Sequence, residues 1–252
     1  MEQYSRQITF DSIPNFRDLG GYRGRHGHTV VWRRLFRSGE LIRMSRHDSI
    51  RLNEEIRLHS VIDLRNRTEQ QQQKIAILEE IGAKYYNVPF RPGPALSLQT
   101  EKELYPSCSN MGEVYLYRIR QKEFGQQVVE AMKIIAEPDN HPLVFHCGAG
   151  KDRTGILAAM VLSVLGVADD DIIEDYILTA PFMNEIRNRL NNDPETSEDI
   201  KDLPEFTWEA APESMALFLS TIKREYGSVK GYLEAQGAAS SLVRRLEMAL
   251  LI

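Results

Sequence analysis

Apolar and polar positions along the chain follow two rhythms. Short runs rich in apolar residues occur at Leu58–Leu64, around Val61-Ile62, and at Leu143–Phe145, with a further extended run at 84–88. They read as strands, the first two buried on both faces as in a parallel sheet. Val30-Val31-Trp32 and Leu35-Phe36 read as a strand pair beside Gly20-Gly21, whose glycines permit a turn. Between the runs, apolar residues recur at helical spacing. This predicts helices over 47–55, 68–81, 112–135 and from Ile156 onward, with helices near the end carrying Met215, Phe218, Leu219 and Ile222. Asp169-Asp170-Asp171 reads as the capped, dipole-matched start of a helix through Tyr176. Strands alternating with helices predict an α/β fold, a central mostly parallel sheet flanked by helices with helical C-terminal additions.

The chain reads as one domain over 1–252. The acidic, proline-punctuated stretch 191–210 is either a lid or a surface excursion, and 211–252 is a helical cover. An apolar fraction of 42% is enough to fill one core, and a net charge of −5 argues against a nucleic-acid partner. No run is long enough to span a membrane, and the first residues have no secretory signal. With only Cys108 and Cys147 there is no disulfide framework, so the expected setting is the reducing cytoplasm.

The chemistry concentrates in His146-Cys147-Gly148-Ala149-Gly150-Lys151-Asp152-Arg153-Thr154-Gly155. A thiol stands six residues before a guanidinium, on a glycine-rich turn between a strand and a helix. That arrangement aims backbone N–H groups and a helix N-terminus at one anion, and it favours thiolate at the base of the loop. A nucleotide-binding loop is the obvious impostor. It requires glycine at 145 and Ser or Thr at 152, where this chain has Phe145 and Asp152.

A nucleophile beneath a phosphate cradle is the arrangement of a phosphatase. Cys147 attacks phosphorus and forms a phosphocysteine, and Arg153 grips two phosphoryl oxygens. The amides of Gly148, Ala149, Gly150, Lys151, Asp152 and Arg153 satisfy the rest. Thr154 can donate to the departing sulfur, and His146 either orders the loop or is simply a core histidine. Lys151, a second cation in the loop, hints at a substrate with extra negative charge. The leaving group needs an acid. Asp63, at the end of the strand 58–64, is the first candidate; it could instead cap the following helix or pair with Arg65. Asp152 is its rival. Arg91, in the proline-rich turn Pro89–Pro94, could reach a second phosphate.

Several separated blocks resemble the atypical bacterial and fungal tyrosine-phosphatase-like family, which includes lipid-phosphatase-like and triple-specificity members. They are Asn15–Tyr22, Phe36–Gly39, Val61–Arg65, the loop 146–155, and Tyr226-Gly227-Ser228 with Gly231-Tyr232-Leu233. The resemblance implies metal-independent hydrolysis of phosphotyrosine, phosphoserine or phosphothreonine proteins, or of phosphoinositides, with no cofactor. It carries the nucleophile to Cys147, the phosphate-binding arginine to Arg153 and the acid to Asp63. Two other readings compete: a module that reads phosphorylated partners without turnover, and another thiol enzyme such as an arsenate reductase or sulfurtransferase. The first would usually have lost Cys147 or Arg153, and an arsenate reductase needs resolving cysteines where only Cys108 is available. The residues leave the physiological substrate and the oligomeric state open.

Overall fold

Leu143, Val144 and Phe145 form the centre of a five-stranded sheet and are wholly buried. A computed structural model of the chain describes residues 4–66, 78, 81–91, 103–193 and 197–252. The strands are β1 (Arg17–Asp18), β2 (Leu35–Ser38), β3 (Ser60–Asp63), β4 (Lys84–Asn87) and β5 (Leu143–His146), in the order β1-β2-β5-β3-β4. All neighbours are parallel except the edge pair β1/β2.

Side chains alternate across each strand, so the sheet buries two separate cores. Leu143, Phe145, Ile62 and Leu35 face the larger core, and Val144, Val61 and Phe36 face the smaller. The smaller core is closed by Leu52 and Ile56, which follow α1 (Arg46–Arg51) in a single π turn. A capping box starts α1: Ser45 Oγ accepts from Asp48 N at 3.0 Å, and Ser45 N donates to the Asp48 carboxylate at 3.1 Å.

The larger face carries α2 (Met111–Ile119), α3 (Lys122–Ile135), α4 (Asp152–Val164), α5 (Asp169–Ile177) and, after α6 (Ala180–Asn191) and α7 (Ser197–Ile200), α8 (Pro212–Tyr226), α9 (Val229–Ala235) and α10 (Ser241–Leu250). Helix α4 is buried all round from Thr154 to Leu162, as an apolar helix at the centre of a layered fold should be. α8 packs between α2 and α5, so the C-terminal helices belong to the same core as the sheet.

Some expectations change. Residues 30–32 do not pair with 35–36; the partner of β2 is β1. The backbone of 29–31 is divided: Val31 N donates to Leu250 O at 2.8 Å and Thr29 and Ile252 exchange two bonds, while Val30 N donates to Tyr22 O at 2.9 Å and Val30 O accepts from Gly21 N at 2.7 Å. Arg33, at φ 64°, then turns the chain into β2. The expected helix 112–135 breaks at Arg120-Gln121, where Tyr232 Oη caps the Ile119 carbonyl at 2.9 Å and Arg120 pairs with Glu225. Helix α5 is capped by Ala168 without a side-chain bond, so its three aspartates serve the dipole rather than the cap. The expected helix 68–81 falls almost entirely outside the described residues. Among those described, no helix is long and apolar enough to cross a membrane.

Candidate active site

Parallel strands place Ser38, His146 and Asp63 side by side at their carboxyl ends, the rim where ligands bind in such sheets. Cys147 is the next residue after β5 and is 3% exposed. Residues 148–151 then turn the chain into α4. Gly150 adopts φ +71°, and a Cβ there would stand 2.5 Å from the Ser38 carbonyl oxygen, so only glycine lets the loop lie this close to β2.

Three consecutive loop carbonyls are held by donors from outside the loop. Glu40 N donates to Gly148 O at 2.9 Å, Asn15 Nδ2 donates to Ala149 O and Gly150 O at 3.2 Å each, and Arg37 Nη2 donates to Gly150 O at 2.7 Å. In a planar trans peptide each carbonyl opposes the following N–H. The N–H groups of Ala149, Gly150 and Lys151 therefore point to the other side of the loop. The result is an anion nest followed by the positive end of α4.

The residues that hold the loop escaped the functional reading of the sequence. Asn15 stands at φ 59°, a left-handed conformation that asparagine tolerates better than most residues. Its Oδ1 is bonded to Arg17 Nη1. Arg17 and Arg37 converge on Asp175 of α5, with Arg17 Nε 3.0 Å from Oδ1 and Arg37 Nη1 2.5 Å from Oδ2. The available signal was Arg37 itself, a charge placed directly after Leu35-Phe36 in a buried strand.

Lys151 departs from expectation. Its ammonium is turned inward, 3.0 Å from Asp152 Oδ1 and 3.0 Å from the Glu209 carbonyl, and its side chain is 1% exposed. Burial works against the charge, yet Asp152 more than offsets it and Lys151 titrates above its ordinary range. The same pairing, with Arg118 near and Tyr115 Oη donating at 2.6 Å, holds the partly exposed Asp152 below the usual carboxylate range despite desolvation. Tyr115 is bonded in turn to Tyr176 at 2.8 Å. Arg153, half-buried, follows in the first turn of α4. Thr154 Oγ1 is buried without a hydrogen-bond partner, so it does not reach the Cys147 sulfur in this resting arrangement. His146 is buried; its Nδ1 lies 3.2 Å from the Cys147 carbonyl, and burial pushes its pKa down.

Asp63 lies on the expected rim, with both of its carboxylate oxygens already engaged. Arg65 clasps it through Nε at 3.0 and 3.2 Å and Nη2 at 2.8 Å, and its backbone N–H and Tyr85 Oη also donate to the carboxylate. Burial alone would raise its pKa, but His146 first, and then the charge and hydrogen bonds of Arg65, bring it to about 2. Wholly buried and bonded on both oxygens, it presents no open oxygen to a leaving group. The geometry matches the alternative of a pair with Arg65.

The stretch 205–208 is not a loose excursion. Glu205 pairs with Arg187 of α6 at 2.7 Å, Trp208 lies under the same guanidinium, and Glu209 is tied to Lys151. Arg91 is exposed, with its N–H held by Gln127; residues 92–94 of its turn lie outside the described residues. Among the described residues, no group of three or more His, Cys, Asp or Glu side chains gathers as a metal site.

A strand-loop-helix nest with cysteine at its base and arginine at its end defines a cysteine-phosphatase-like site. The model of the tyrosine phosphatase family matches residues 8–252, and the chain belongs to that family. It is 32% identical over 182 residues to a candidate tyrosine-protein phosphatase of Cupriavidus necator, covering 69% of this chain and 63% of the relative. It is 33% identical over 121 residues to the triple specificity protein phosphatase PtpB of Mycobacterium tuberculosis, 44% of each chain. The chain thus spans less than two thirds of the length of these relatives. The catalytic core of the PP-IP phosphatase SIW14 from S. cerevisiae is similar at a TM-score of 0.45 and 17% identity, over 79% of this chain and 91% of that one.

Proposed function

We propose that the protein hydrolyses phosphate monoesters, phosphotyrosine first among them, through a phosphocysteine on Cys147 and without a metal. The observation that carries this reading is the row of three loop carbonyls bonded outward, which leaves the amides of Ala149, Gly150 and Lys151 for an anion directly above the cysteine. Such preorganised donors cost no rearrangement as charge develops on the phosphoryl oxygens. Membership of the tyrosine phosphatase family supports the same chemistry.

In the first step the Cys147 sulfur forms a bond to phosphorus as the ester P–O bond breaks. Arg153 holds equatorial oxygens of the group in flight. The proton for the leaving oxygen comes from Asp152, which is partly exposed and receives Tyr115 and Lys151 on Oδ1, leaving Oδ2 for transfer. An approaching phosphate dianion raises the pKa of a neighbouring carboxylate and helps it take up that proton. In the second step water attacks phosphorus, its proton returns to Asp152, and the P–S bond breaks. Thr154, whose buried hydroxyl has no hydrogen-bond partner at rest, turns to donate to the departing sulfur.

The Lys151 argument for phosphoinositides loses its footing, because the ammonium is committed to Asp152 and Glu209 rather than to the nest. Turnover of p-nitrophenyl phosphate in EDTA tests the reaction, and phosphotyrosine peptides set against phosphoinositides test the substrate. Sustained turnover lost in Cys147→Ser is the expected result. Activity that survives that substitution overturns the reading.

A further inference from the structure

Beneath the loop lies a charge imbalance. Arg17 and Arg37 are each 1% exposed and share one carboxylate, that of Asp175, also 1% exposed. Each guanidinium nitrogen of Arg17 is bonded: Nε to Asp175 Oδ1, Nη1 to Asn15 Oδ1, and Nη2 to the Asp175 carbonyl and to Thr179 Oγ1 at 3.2 Å. Arg37 spends Nη1 on Asp175 and Nη2 on the Gly150 carbonyl, and its Nε is buried with no hydrogen-bond partner. Tyr22 and Tyr176 face the cluster, and both phenols are pushed above their ordinary range, chiefly by burial. Two cations, one anion and two neutral phenols leave one positive charge uncancelled.

Burying unbalanced charge is costly, and a protein ordinarily neutralises it. The strain is visible in Arg17, whose pKa falls to about 10 through desolvation and the proximity of Arg37. What lies on the other side of the Gly150 peptide is the nest. An anion bound there, or a negative sulfur at Cys147, supplies the missing charge.

We propose that Arg37 is a positioning residue of the phosphate loop: it fixes the Gly150 peptide so that the next N–H faces the anion, and it lends the site a buried positive charge that Asp175, shared with Arg17, does not cancel. Arg37 touches no substrate and acts through the loop. The close seat of Gly155 supports this geometry, since a Cβ there would stand 3.1 Å from the Tyr176 ring and 3.6 Å from Arg37 Nη2. The start of α4 therefore packs first on the Tyr176 ring, with the Arg37 guanidinium beside it. The inference deepens the phosphatase reading and rests on it.

The test compares Arg37→Lys and Arg37→Met with the natural protein, each first shown to be folded by circular dichroism. Three readouts are followed: turnover of p-nitrophenyl phosphate, inhibition by orthovanadate, and the pH at which iodoacetamide alkylation of Cys147 is half-maximal. Arg37→Met should raise that pH, because it removes the uncancelled positive charge behind the Gly150 peptide. It should weaken vanadate inhibition about tenfold or more. Arg37→Lys, which keeps the charge but not the fork, should leave the alkylation pH near the natural value while turnover still falls. A folded Arg37→Met with unchanged alkylation and vanadate inhibition overturns the proposal, as does a lysine variant shifted as far as the methionine one. Should Arg37→Met fail to fold, Arg37→Gln takes its place in the same comparison. If the natural protein itself shows no turnover, the phosphatase reading fails first; natural activity with indifferent variants sinks only the role of Arg37.

Discussion

The ammonium of Lys151 lies 3.0 Å from the carbonyl oxygen of Glu209, 58 residues away, and the same distance from Asp152 Oδ1. A loop cation is thus used to bind the chain to itself. Lys151→Met leaves Asp152 without its main counter-charge and the Glu209 carbonyl without its donor. Because Asp152 is partly exposed, the loss should be moderate, about 2 kcal/mol in chemical denaturation. Turnover of p-nitrophenyl phosphate and of a phosphoinositide should fall in equal proportion; a selective loss on the phosphoinositide would restore the lysine as a substrate contact.

Asp152→Asn tests the proton donor. Alkyl phosphates such as phosphoserine have poor leaving groups and need protonation, whereas activated aryl phosphates barely do. The variant should slow phosphoserine peptides on the order of a hundredfold and p-nitrophenyl phosphate far less. Equal slowing of both would give Asp152 a purely positional role.

Asp63 should behave as a stabilising ion. Its folded value of about 2 lies below the ordinary 3.8. The stability it adds is therefore complete above about pH 4 and is lost as pH falls toward 2, as the carboxylate takes up a proton that the native state resists. The displacement corresponds to roughly 2 kcal/mol. At pH 7 Asp63→Asn should melt several degrees lower, roughly 5 °C for that loss in a chain of this size. The gap between variant and natural protein should close between pH 4 and 2. The ratio of rates on alkyl and aryl phosphates should not change.

Gly150→Ala probes the turn itself. A methyl group would press on the Ser38 carbonyl at 2.5 Å, from a backbone at φ +71°. The conformation alone costs about 1–2 kcal/mol for a non-glycine residue, before any clash. The variant should be destabilised by at least that amount in urea, and vanadate inhibition should weaken because the carbonyls held by Asn15 and Arg37 are displaced. Unaltered inhibition would mean that the loop accepts anions in another shape.

The cysteine-to-arginine loop and the layered sheet were legible because both are written in adjacent residues: Leu143-Val144-Phe145 as a buried strand, then the cysteine, glycines and arginine in fixed spacing. What holds the loop was not, since Asn15, Arg37 and Asp175 meet it only through the fold. Asp63 illustrates the boundary. Its place at a strand end could be read from Val61-Ile62, whereas its state depends on Tyr85, 22 residues on, as well as on nearby Arg65. The strand expected at 30–32 failed for a similar reason. Thr29 and Val31 bond to residues 250–252, which no local pattern announces, while Val30 bonds to Gly21 and Tyr22, beside the turn that the glycines did announce.

The hydrogen bond from Asn15 to Thr179 spans 164 residues, and that from Arg37 to Gly150 spans 113. Contacts between such remote segments form late, after the entropy of closing long loops has been met. The nest is therefore a product of the finished molecule rather than of its own ten residues. Recovery of oxyanion affinity during refolding should lag behind the appearance of helix signal, and saturating vanadate should raise the melting temperature by mass action.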